Sequence, residues 1–232
     1  MSVIPDINKI SEDISQIYSD VEAQLLAYST DITKANPTQI EATIKQINRA
    51  SLQDENLKQY IGSNGYRTIN VGISGKSIKL LERESVESAM NALSKDIYEL
   101  VQNANEIDRG EYLKRAAGLQ YRFIRIHPFP DSNGRTSRAL LNMITIPKGI
   151  LVDFSKERKL EYTRASNQTH KVMDDNQYLQ AIRGNSNDLI KLETDIELPI
   201  YKFIRESCIV NTDNESQDNK NCIAREESEM LH

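Results

Sequence analysis

At 232 residues the chain holds one domain of ordinary size with a proper core and leaves two full domains cramped. Its net charge of -5 sits in the tail: residues 206–232 carry seven acidic and two basic side chains, leaving residues 1–205 balanced at 27 of each, which excludes a nucleic-acid face built on basic excess. No window reaches a membrane span, the amino terminus lacks the basic flank and apolar run of a secretory signal, and Cys208 and Cys222 stand apart from any zinc-type cluster. The expectation is a cytoplasmic protein with reduced thiols and neither nucleic-acid nor membrane partners, or one delivered into another cell by a specialised secretion system.

In chain order, residues 6–28 carry a helical stripe of Ile7, Ile10, Ile14, Ile17, Val21 and Leu25. A second helix is predicted over 38–49, opening after Pro37 with Ile40, Ile44 and Ile47 inward. Gly62-Ser63-Asn64-Gly65 breaks the chain, and from Tyr66 to Leu81 the period changes to alternation of Ile69, Val71 and Ile73 with polar residues, with Ser74-Gly75-Lys76 as a turn, predicting a short β-hairpin. Helical spacing returns at Val86, Met90, Leu93, Ile97 and Leu100, and again from Tyr112 to Ile124. After Pro147 and Gly149 it resumes over Ser155 to Met173, followed by a pair of short helices between Asn176 and Arg205. The polar, acidic run beyond Arg205 predicts disorder. The fold class expected is mainly α: a helical bundle with one short β-hairpin.

The chemistry concentrates in His127-Pro128-Phe129-Pro130-Asp131-Ser132-Asn133-Gly134-Arg135-Thr136-Ser137-Arg138. The two prolines forbid helix in the first part, Ser132-Asn133-Gly134 supplies a turn and helix start, and the following helix sets Leu140, Leu141 and Ile144 against a face bearing Arg135 and Arg138. A loop opening into a helix presents free N–H groups and the positive end of a dipole, which suits phosphate. A histidine titrates near ~6.5 and can take a proton from a hydroxyl nucleophile. Asp131 offers a hard oxygen of the kind magnesium uses beside substrate phosphates, or a turn-capping carboxylate. Arg135 and Arg138 crowd positive charge near a helix start, where an anionic ligand would repay it. Phe129 reads as a packing anchor.

This run resembles the signature of Fic-domain proteins, matching it at His127, Pro128, Phe129, Asp131, Asn133, Gly134, Arg135 and Arg138 and departing at Ser132, where the family usually has glycine. Gly65-Tyr66-Arg67 with Asn70-Val71 resembles the start of that family's flap, the hairpin lying over the active site. The resemblance implies a Fic domain over 1–205, with a helical extension 1–34, a core from about 35 to 205, and an acidic tail 206–232. It also implies a magnesium-dependent transferase moving AMP from ATP to a hydroxyl of a target protein. On that resemblance His127 is the base, Asp131 the metal ligand, and Ser132, Asn133, Gly134, Arg135 and Arg138 hold the phosphates. Tyr162 binds the nucleotide by walling its nucleobase, and Val71, Gly72 and Ile73 bind the target by strand addition. Transfer of another nucleotide or phosphate group, or a nucleotide-binding module damped by Ser132, are the alternatives. Ser51-Leu52-Gln53-Asp54-Glu55-Asn56 resembles the family's inhibitory pattern, whose glutamate occupies the second arginine. A separate inhibitor protein is the other route to regulation, and oligomeric state is left open.

Overall fold

The structure, a computed structural model, describes residues 32–184, 186–195 and 198–210. The expected helix over 6–28 lies outside them. Eight α-helices and two short strands are described: α1 Pro37–Ser51, α2 Val86–Gln102, α3 Arg109–Ile126, α4 Asn133–Thr145, β1 Ile150–Val152, α5 Lys156–Val172, α6 Asp175–Arg183, α7 Ser186–Asp195, α8 Pro199–Glu206 and β2 Cys208–Val210. None of the described helices is long and apolar enough to cross a membrane.

Local chemistry sets the helix ends. Asn36 caps α1 by accepting from Gln39 N at 2.9 Å while Gln39 returns a bond to Asn36 N at 2.9 Å, and Pro37 takes the first helical position. Such a cap contributes about 1 kcal/mol. Asp108 caps α3 in the same way, through Glu111 N at 3.0 Å.

The hub is α3. Every residue from Ala116 to Ile126 is buried, so its last three turns are enclosed on all sides, in contact with α2, α4, α7 and α8. A fully enclosed helix must satisfy its polar residues internally. Arg122, 1% exposed, forks onto Glu193 of α7 at 2.9 and 2.7 Å and also pairs with Asp96 of α2, while Tyr178 of α6 donates to Glu193 at 2.6 Å. This network requires α7 to lie close, and Gly118 permits it: a Cβ there would stand 2.8 Å from Glu193 Cβ.

Three expectations are corrected. The segment from Tyr66 to Leu81 turns at Ser74–Gly75, with Lys76 N donating to Ile73 O at 3.0 Å, yet its limbs form no strand ladder. An isolated two-stranded ribbon is marginal in water, and here the limbs bond to the body instead: Arg67 N to Pro128 O at 2.9 Å, Leu81 N to Arg125 O at 3.1 Å and Lys79 N to Asp175 at 3.2 Å. The alternation survives as side-chain burial, with Val71 and Ile73 half-buried and Gly72 exposed. Between residues 175 and 206 there are three helices rather than two, separated by a break at Gly184 and by Pro199 starting α8. The order also continues past Arg205, because Cys208–Val210 pairs antiparallel with Ile150–Val152.

Candidate active site

The motif loop joins α3 to α4 and is fixed by two left-handed residues, His127 (φ 49°) and Ser132 (φ 63°), the only non-glycine positive φ values among the described residues. Each costs about 1–2 kcal/mol, and such strain gathers where a side chain must be aimed. Phe129 is buried against Tyr66 and Phe123, ring centroids 5.9 and 6.2 Å away, and anchors the loop as expected.

His127 ends α3, and its N–H donates to Phe123 O at 2.9 Å. The ring Nδ1 lies 3.2 Å from Ile124 O. A carbonyl can only accept, so Nδ1 carries the proton and Nε2 of the neutral ring keeps its lone pair. Burial lowers the pKa to about 4 against the raising effect of the Ile124 carbonyl, with Arg67 and Lys76 lowering it further and Asp131 opposing them. The ring is therefore neutral at pH 7, the form a general base needs.

The loop expected to hold phosphate is built differently from the expectation. Asn133 is spent on the loop itself: Oδ1 accepts from Phe129 N at 3.1 Å and Nδ2 donates to Phe129 O at 2.8 Å. Its side chain is a clasp, and only its N–H faces the start of α4. Ser132, the N-cap residue, leaves the first turn uncapped. Its hydroxyl donates to Ser51 O at 3.0 Å and accepts from Arg135 Nη2 at 2.7 Å. The first-turn N–H groups at Asn133, exposed Gly134 and Arg135 thus receive no side-chain cap from Ser132, as an anion site requires. Arg138 is 8% exposed, one turn behind Arg135.

Asp131 is about half exposed, with Arg135 Nη2 3.7 Å from its Oδ2. Its carbonyl accepts from Asn48 Nδ2 at 2.9 Å, and the same amide reaches Thr136 Oγ1 at 3.1 Å. No cluster of three or more His, Cys, Asp or Glu suited to a metal occurs among the described residues. One accessible carboxylate fits magnesium, which is held largely by substrate phosphates and water, and does not fit a metal caged by protein alone.

Tyr162, expected to wall the nucleobase, is buried in the core beside α4. It is 5% exposed, its ring packs edge-on against Phe154 and Phe203 at 5.1 and 5.6 Å, and its hydroxyl meets Gln120 Nε2 and, at 3.2 Å, Ser137 Oγ. It supports α4 from the core. The inhibitory pattern also finds no support: Glu55 pairs with Lys58 at 2.5 Å on an exposed face, while Ser51 ends α1 and lends its carbonyl to Ser132.

Sequence reasoning missed two residues. Asn48, a polar residue inside the apolar stripe of α1, holds Asp131 and Thr136, and a buried asparagine at that spacing was the available signal. Arg67, read only as part of the flap's start, reaches His127 itself.

The Fic/DOC family profile matches residues 38–145, from α1 to the end of α4. A stretch of 37 residues is 49% identical to the protein adenylyltransferases fic-1 of Caenorhabditis briggsae and Caenorhabditis elegans, covering 16% of this chain and 7% of each relative's length. Among solved structures, a Fic domain-containing signaling protein from Bacteroides thetaiotaomicron superposes with a TM-score of 0.54 at 23% identity, over 80% of this chain and 67% of that one, which is a likeness of fold. Residues 38–145 therefore match the Fic/DOC family, and the chain around them has a mostly helical Fic fold.

Proposed function

We propose that this chain is a protein adenylyltransferase, moving AMP from ATP to a hydroxyl side chain of a target protein. The observation that supports it most is the neutral His127 ring with its proton on Nδ1, beside a helix start whose N-cap side chain is turned away. His127 Nε2 takes the proton of the attacking hydroxyl. The hydroxyl oxygen bonds to the α-phosphorus, the bond from that phosphorus to the bridging oxygen breaks, and pyrophosphate leaves. The N–H groups of Asn133, Gly134 and Arg135 with the Arg135 and Arg138 guanidinium groups receive the phosphate oxygens. Asp131 would hold Mg²⁺, which supplies charge neutralisation on the triphosphate when bound. Val71, Gly72 and Ile73, whose main-chain groups form no ladder within the flap, would accept an extended target segment as an added strand.

The test is ATP labelled at the α- or γ-phosphate, incubated with Mg²⁺, the full chain and a mixed protein acceptor, with CTP, GTP and UTP in parallel. AMP transfer incorporates the α label alone and releases pyrophosphate. Incorporation of the γ label alone would identify phosphate transfer and overturn the proposal.

A further inference from the structure

The geometry points to Arg67 as a positioning residue of the proposed transfer, one side chain that holds the backbone of His127 and both limbs of the flap in a single register. The inference rests on the reading of His127 as the base. Arg67 is 3% exposed, and no carboxylate of the described residues lies within ion-pair distance of it. Its guanidinium is spent on backbone instead. Nε donates to His127 O at 2.8 Å and Nη2 to Ile126 O at 3.4 Å, at the end of α3. Nη1 donates to Ile69 O at 2.7 Å in the first limb and meets Asn70 Oδ1 at 3.5 Å, and Nη2 also donates to Leu81 O at the end of the second limb.

Burying a cation with no carboxylate in contact is costly, and the structure offsets it with carbonyl dipoles at a helix C-terminus, where positive charge is favoured, and with the more distant charges of Glu84 and Glu82. The rigid fork of arginine is what allows carbonyls from three separate stretches to be gathered by one group, and lysine has no such fork. Consequently the left-handed backbone at His127, which aims the imidazole, and the span of the flap proposed to take the target are fixed by the same group. The main-chain bond from Arg67 N to Pro128 O at 2.9 Å persists in any side-chain variant, so substitution isolates the guanidinium.

The experiment compares the full ¹⁵N-labelled chain as wild type, Arg67→Lys and Arg67→Gln. It reads the ring tautomer by long-range ¹H–¹⁵N correlation, with His127→Ala assigning the signal, together with kcat and KM for AMP transfer. The wild type shows a single Nδ1–H form. In Arg67→Lys that signature gives way to a tautomer mixture, and kcat falls by about tenfold or more while KM for ATP moves by less than about twofold, the pattern of a misaimed base. Arg67→Gln shifts both further if it folds, and the lysine variant carries the result if it does not. A folded lysine variant with the wild-type ring signature and kcat overturns the inference. If His127→Ala leaves transfer intact, the base assignment fails instead, and the ring signature alone decides whether Arg67 holds His127.

Discussion

Arg135 Nη2 donates to Ser132 Oγ at 2.7 Å, and the same hydroxyl donates to the Ser51 carbonyl at 3.0 Å. Ser132 thus joins the helix start of α4 to the end of α1. Its left-handed backbone, φ 63°, costs energy that glycine would not, and the two hydrogen bonds return a comparable amount.

Ser132→Gly relieves the backbone and loses the bridge, so stability changes by less than about 1 kcal/mol. Ser132→Ala loses the bridge and keeps the strain, and is expected to be destabilised by about 1–2 kcal/mol. Urea denaturation of the pair decides it: equal losses would mean that the left-handed backbone at residue 132 carries no strain. Transfer by Ser132→Gly is expected to stay near that of the wild type, and a large gain would show the natural chain to be damped.

Asn133→Ala strands a buried N–H and a buried C=O of Phe129. The expected cost is about 2–3 kcal/mol with loss of transfer, since the loop between His127 and α4 loses its clasp. Asn133→Asp keeps the acceptor for the N–H and should fall between, which thermal unfolding of both variants would check.

The acid limb of the transfer rate should lie well below the ordinary histidine value. With His127 held at about 4 by burial, the neutral base persists through mildly acidic solution. Stability follows a related rule. His127 and His170, the latter also lowered to about 4 by burial, bind fewer protons folded than unfolded between pH 6.5 and 4. Their contribution is therefore full above about pH 6.5 and is lost as pH falls toward 4. An acid limb at 6.5 in kcat/KM would show His127 to be exposed and unshifted.

Much of this was legible in the sequence. The stripe from Val86 to Leu100 folds as α2, and the motif folds as a loop opening a helix, because periodicity and proline act locally. The roles of Asn133 and Tyr162 were not, because both depend on which groups the tertiary packing brings beside them. Asparagine in a turn can face a ligand or its own loop, and only the position of the Phe129 backbone selects the second. The flap's alternation gave its burial pattern but not its ladder, since the competing partners lie at Pro128, Arg125 and Asp175, remote in sequence.

Gly118→Ala should destabilise the fold by about 1–3 kcal/mol, because its Cβ would lie 2.8 Å from that of Glu193 and push α7 off the Arg122 network. ATP affinity of the folded protein should be unchanged, since the contact is with the core side of α3. Calorimetric melting with parallel nucleotide titration checks both, and an unaltered Tm would mean that α7 yields freely.

The central claim is AMP transfer through His127, tested most directly by counting label from α-labelled ATP on acceptor protein for the wild type and His127→Ala, both confirmed folded. The wild type is expected to incorporate one AMP per modified site and the variant about 10²-fold less or lower. Equal incorporation by the two proteins would contradict it.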